Sequence, residues 1–77
     1  MIRLPVKSSN LAEVGFDPFW EVVEVMFQNG AIYEYHHVPA AVYYGLIGAE
    51  SIGTYFAENI KGQYAFVKLQ DVQTKKG

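Results

Sequence analysis

The residues of this 77-residue chain whose types could do chemistry are few: the neighbours His36 and His37, the serines Ser8, Ser9 and Ser51, and the triplet Tyr33-Glu34-Tyr35. Paired histidines invite a metal reading. In extended backbone, however, successive side chains leave opposite faces, so the two imidazoles do not converge on one ion. There is no cysteine, and no carboxylate stands at a spacing that completes a ligand set. No metal and no cofactor are therefore expected. A serine nucleophile needs an adjacent base and an orienting acid. Neither a nucleophile elbow nor a glycine-rich phosphate loop surrounds the serines here, which fit turns and helix caps better. Glu21, Glu24 and Glu34 read as a solvated sheet face. No catalytic residue is assigned, and the chain is expected not to be an enzyme.

Binding is the remaining chemistry. Tyr33 and Tyr35 present π-faces of the kind on which unpaired bases stack, for about 1–3 kcal/mol per base. The same two rings serve equally as cross-strand core partners of Val25 and Val23. Arg3, Lys7, Lys61 and Lys68 form a candidate cationic edge. Against it stands a formal net charge of −2 with a pI near 5.5, where a grip on nucleic-acid phosphates usually needs a basic balance.

These residues are positioned by a short run of elements. Met1 to Asn10 is polar and punctuated by Pro5. Leu11 to Asp17 reads as a first strand ending at the Asp17-Pro18 turn, and Trp20 to Phe27 as a second. Asn29-Gly30 signals a hairpin that returns through Ala31 to His36. A two-residue loop would set Val25 against Glu34 and mix charge into both faces. A three-residue loop, Gln28-Asn29-Gly30 with Gly30 left-handed, sets Phe27 against Ala31, Val25 against Tyr33 and Val23 against Tyr35. A one-residue slip exchanges faces, so burial selects the three-residue loop. Pro39 to Gly48 follows as a short helix with Val42, Leu46 and Ala49 in its apolar stripe, widened by Tyr43 and Ile47. Ser51 suits the N-cap of a second helix through Ile60, closed by Gly62. Tyr64 to Leu69 alternates as the last strand, and residues 72–77 are expected to fray.

The order predicted is β-β-β-α-α-β: an α+β fold, a small antiparallel sheet with two short helices packed on one face. Residues 1–77 make a single domain with its core at about 7–69. With 51% hydrophobic and 16% aromatic residues and no disulfide, its stability must come from buried rings. No apolar run is long enough to span a membrane and the N-terminus is no signal peptide, so a cytoplasmic protein is expected.

In order and spacing the motifs resemble the KTSC domain, a short family found as single-domain bacterial proteins and at the C-terminus of some lysyl-tRNA synthetases. The resemblance runs from Ser8-Ser9-Asn10-Leu11 and Val14-Gly15-Phe16-Asp17 through Phe27, Asn29-Gly30, Tyr33-Glu34-Tyr35 and Val38-Pro39. It continues at Val42, Tyr43, Leu46, Ala49, Ser51, Gly53, Tyr55, Phe56, Ile60, Lys61 and Tyr64. It covers about Lys7 to Leu69. The chain departs at Ile52 and Thr54, where such domains often carry basic residues, at Ala57 in place of Asn and at Phe16 in place of Tyr. The family implies no established activity. Attachment to a tRNA synthetase implies RNA, or an RNA-associated protein, as partner. The candidate contact residues are then Tyr33, Tyr35, Tyr55, Lys61 and Tyr64. The alternative is a protein–protein or self-assembly module, since a small aromatic-rich domain has little room to bury every ring.

Overall fold

The computed structural model describes residues 1–73, so the fraying expected of 72–77 lies for the most part outside the described residues. The strands are β1 (Leu4–Pro5), β2 (Leu11–Asp17), β3 (Val22–Phe27), β4 (Ile32–Tyr35) and β5 (Phe66–Gln70), with helices α1 (Ala40–Ile47) and α2 (Ile52–Asn59) between β4 and β5. All neighbours are antiparallel, in the spatial order β1-β2-β3-β4-β5. The α+β architecture is the expected one, with one strand added at the front. That strand is two residues long and contains Pro5, too short for a period of two to register; Pro5 is tolerated because β1 is an edge.

The β3–β4 hairpin has the three-residue loop that burial demanded. Val23 lies opposite Tyr35 and Val25 opposite Tyr33, while Phe27 donates its N–H to the Ala31 carbonyl at 2.9 Å. Gly30 takes φ +89°, a conformation that costs glycine nothing. Registers on both sides extend these pairs into rows across the sheet. One row is Phe16, Val23, Tyr35 and Phe66; the next is Val14, Val25, Tyr33 and Lys68. Both helices pack against this face. The Phe56 ring meets Phe27 and Tyr35 edge-on at 5.5 Å each, and Tyr43 stacks on Phe16 at 4.9 Å.

Pro39 opens α1, whose buried side chains are Tyr43 and Leu46; Ile47, expected in the stripe, is exposed because the stripe is narrower than its apolar composition. Ser51 caps α2, its hydroxyl oxygen accepting the Thr54 N–H at 3.3 Å. Past α2, Gly62 adopts φ +77° as expected of a closing residue.

On the opposite sheet face the solvated carboxylates expected from the sequence are partly absent. Glu24 is buried, because the chain before β1 crosses this face above Gly15. A Cβ on Gly15 would stand 2.5 Å from the Ile2 carbonyl oxygen, so the crossing requires glycine there. The crossing delivers Arg3, whose Nε donates to Glu13 Oε1 at 3.0 Å and whose Nη1 donates to Glu24 Oε2. These hydrogen bonds, to Glu13 first and then to Glu24, raise the guanidinium pKa above its ordinary value. Arg3 is thus committed to the sheet rather than to a cationic edge. Glu24 also lies directly opposite Glu34 in the β3–β4 register, a like-charge pair that the guanidinium offsets.

Candidate functional site

The α2 end of the sheet carries a groove of about 280 Å³ bordered by Phe27, Tyr33, Tyr35, Phe56, Lys61 and Asn29. Its floor follows from the sheet rows, since Tyr33 and Tyr35 leave β4 on the helix side; Phe66, opposite Tyr35 on β5, stands beside the groove rather than in its lining. The Tyr33 ring stacks on Phe66 at 5.2 Å and on Tyr35 at 6.3 Å, and meets Phe27 edge-on at 5.5 Å. Tyr35 is only 3% exposed, Tyr33 is half-buried and Phe66 is 54% exposed, so the aromatic array grades from core to solvent. Burial, with a smaller effect from neighbouring Tyr33, pushes the Tyr35 hydroxyl up to about 12, so it stays neutral in the groove at any physiological pH.

Two cations approach this array. Lys61 follows α2 and lines the groove; its backbone N–H donates to the Phe56 carbonyl at 2.9 Å, which fixes its base while its side chain is exposed. Lys68 Nζ lies 6.0 Å from the Tyr33 ring centroid and 3.5 Å from Asp71 Oδ1. The backbone N–H of Val72, followed by the charge of and contact with Lys68, holds the Asp71 carboxyl below the usual carboxylate range. The C-terminal segment closes one end of the groove: Val72 lines it, and the Gln73 N–H donates to the Asn29 carbonyl at 2.8 Å.

Of the residues singled out in the sequence, Tyr33, Tyr35 and Lys61 come together here. Tyr35 does so mainly as core. Tyr55 turns to α1, where its hydroxyl occupies the space a Cβ on Gly45 would need, and Tyr64 packs partly buried against the core; neither borders the groove. Lys7 lies apart, beside Ser8 and the start of α2. Sequence reasoning missed Phe66. The signal was present, since alternation from Tyr64 places Phe66 on the same face, but pairing β5 with β4 needed the three-dimensional register. His36 and His37 do not meet on a ligand: His37 takes φ +59°, and His36 Nε2 sits 3.0 Å from Glu34 Oε1, off the line a hydrogen bond requires. No helix among the described residues is long and apolar enough to cross a membrane.

Comparison with known proteins follows the same outline. The sequence model of the KTSC domain matches residues 7–64. An uncharacterised protein of Stutzerimonas stutzeri is 39% identical over 64 residues, covering 83% of this chain and 90% of that protein. A lysine–tRNA ligase of Nostoc sp. is 39% identical over 54 residues, which are 70% of this chain but only 10% of the ligase. The crystal structure of a KTSC domain protein from Yersinia pestis superposes with a TM-score of 0.84 at 33% identity, covering 88% of this chain and 96% of that one. Matched by the family's sequence model over most of its length and by a solved KTSC structure throughout its fold, the chain belongs to the KTSC domain family.

Proposed function

We propose that this domain is a non-catalytic cytoplasmic module that binds single-stranded RNA in the groove between β4 and the end of α2, beside the exposed ring of Phe66 on β5. The observation that carries the reading is the convergence of Tyr33 and Lys61 on one groove, with Phe66 exposed beside Tyr33 and Lys68 over its ring. Phe66 and the outer half of Tyr33 supply a face for one unpaired base, worth about 1–3 kcal/mol. Lys61 and Lys68 stand where the flanking phosphates would run. Tyr35 supports the platform from below and, remaining neutral, repels no phosphate. The lysine–tRNA ligase similarity supports the same direction, since that protein is named for an RNA substrate.

With only two lysines at the groove and an acidic chain overall, affinity must be modest. Two neutralised phosphates give a slope of about −1.4 in log affinity against log salt. The test is an amide-resonance titration with a short single-stranded RNA at 50 and 200 mM salt. Shifts centred on Tyr33, Lys61 and Phe66, weakened by salt and reduced by Lys61→Ala, are the expected result. A silent spectrum at low salt, or binding indifferent to both salt and Lys61→Ala, would overturn the reading.

A further inference from the structure

The β2–β3 turn, at the end of the sheet away from the groove, sets two large apolar rings in water. Phe19 and Trp20 are 80% and 68% exposed and meet edge-to-face at 4.8 Å. Asp17 Oδ1 accepts the Phe19 N–H at 3.0 Å and the Trp20 N–H at 3.2 Å, and the Glu21 carbonyl accepts the Val38 N–H at 2.8 Å. The turn is thereby held in one arrangement, so little freedom is left to lose when a partner settles on it. Trp20 also walls a hollow of about 330 Å³ whose other sides include Asp17, Val22, Glu34, His36 and His37. The carboxylates around the rings are left without fixed cations. Asp17 and Glu34 line the hollow, and the exposed Glu21 follows Trp20 directly. Among the described residues no lysine or arginine pairs with any of the three: Arg3 is bound to Glu13 and Glu24, and Lys68 to Asp71. Glu34 has His36 Nε2 at 3.0 Å, a charged partner only when that imidazole is protonated.

We propose that this turn docks a short basic segment of a partner protein, with an arginine laid on the Trp20 ring and its guanidinium turned to the carboxylates of Asp17 and Glu34. Charge complementarity selects the occupant: exposed rings framed by unpaired acids favour a cation that is also flat. Arginine meets both demands, because its guanidinium stacks on an indole face and offers carboxylates a fork of donors. Size decides for a segment rather than a globular surface. From ordinary ring areas the two aromatics present about 300 Å². Each partner of a stable globular complex contributes about 800 Å². A second copy of this chain is a poor occupant, since the acids of its own turn would meet those of the hollow. The same carboxylates disfavour RNA and anionic lipid here, so this surface does not depend on the reading of the groove.

Trp20 is the only tryptophan in the sequence, so its emission reports this surface alone. The probe is a short capped peptide alternating arginine and glycine, titrated into the full chain at low salt and followed by Trp20 emission and amide resonances. One aromatic anchor with exposed carboxylates beside it predicts a dissociation constant on the order of 1 mM. Shifts should centre on Asp17, Trp20, Glu34 and His37, and the same peptide with glutamate for arginine should produce none. Trp20→Ala, read by amide resonances, and Asp17→Asn should each weaken binding about threefold. Neither should disturb the fold: Trp20 lies largely in water, and asparagine keeps an oxygen for the two turn N–H groups. Lys61→Ala should leave the titration unchanged. No response at millimolar peptide, an equal response to the glutamate peptide, shifts centred on the groove, or affinity that survives both Trp20→Ala and Asp17→Asn would each overturn the proposal. Sedimentation showing a dimer that Trp20→Ala abolishes would put a second copy on the turn and overturn it too.

Discussion

Arg3 holds the open face of the sheet together, and replacing it by methionine is the sharpest test of how that face is built. The substitution keeps an aliphatic stem over Gly15 and removes only the guanidinium. What remains is Glu24, whose side chain is 10% exposed, directly opposite Glu34 and with its cation gone. A charge-assisted hydrogen bond contributes about 1.5–3 kcal/mol, and breaking a fully buried ion pair costs about 3–5 kcal/mol. Arg3 keeps 25% of its side-chain surface in water and Glu13 keeps 34%, so that half of the bridge contributes at most about 1 kcal/mol. The Glu24 half dominates, and the expected loss is about 2 kcal/mol. For a domain of this size that is a fall of about 8–16 °C in Tm. Adding Glu24→Gln should recover part of it, with a coupling energy of about 1–2 kcal/mol in the double-mutant cycle. The sign with pH is also fixed. A cation whose folded pKa is raised contributes fully below its unfolded pKa, so the titration of Arg3 itself adds no pH dependence across any ordinary assay range. Urea unfolding of the four proteins reads all of this. A loss under about 0.5 kcal/mol, or strictly additive single losses, would refute the claim that Arg3 neutralises a buried Glu24.

Three further outcomes follow from single contacts. Gly15→Ala sets a methyl against the Ile2 carbonyl oxygen and should cost about 1–3 kcal/mol, with amide exchange accelerating at the start of the chain before the hairpin; an unchanged melt would mean the crossing is not tight. Tyr35 holds its proton to about 12 when folded, whereas an unfolded tyrosine ionises near 10. Stability from this group is therefore whole below about pH 10 and declines from there toward 12, and Tyr35→Phe should flatten that alkaline decline in a denaturation series; an identical slope would count against burial of the hydroxyl. Ser51→Ala removes the acceptor for the Thr54 N–H and should lower stability by about 1 kcal/mol in a chemical melt, while Ser51→Asp should retain most of it.

What could be read from residue order was decided by local physics. The hairpin register is an example: charge on Glu24 and Glu34, apolar side chains at Val23 and Val25, and the left-handed tolerance of Gly30 admit one pairing, and the chain adopts it. Ser51 and Pro39 mark helix starts for equally local reasons. The readings that failed depend on segments meeting from afar. Glu24 was read as solvated because nothing in its neighbourhood announces that Arg3, 21 residues earlier, will lie over it. Tyr55 and Lys61 are both candidate contact residues by sequence, yet Tyr55 turns toward Gly45 of α1 while Lys61, past the end of α2, lies at the groove. Phe66 escaped notice because its neighbours in space are on β4, and sequence alternation alone does not say which strand β5 will join.

The groove exists because two layers of unequal size were joined. Five strands at about 4.8 Å spacing give a sheet about 19 Å across between its outer strand axes. Two helices of eight residues are each about 12 Å long and cannot roof it. They settle over the middle, where Val23, Val25 and Tyr35 are fully covered, and leave β5 exposed along its whole length. A sheet margin of that kind invites edge-to-edge pairing, yet here it carries Lys68 in mid-strand and a register irregularity beside Ile32 and Tyr33, both of which blunt strand addition. The uncovered rings of Tyr33 and Phe66 are therefore better suited to a ligand that lies on the face than to a strand that adds to the edge. If a peptide occupied this site, its binding should leave the β5 amides unprotected in hydrogen exchange; new protection along β5 would instead show strand addition and contradict this reading of the margin.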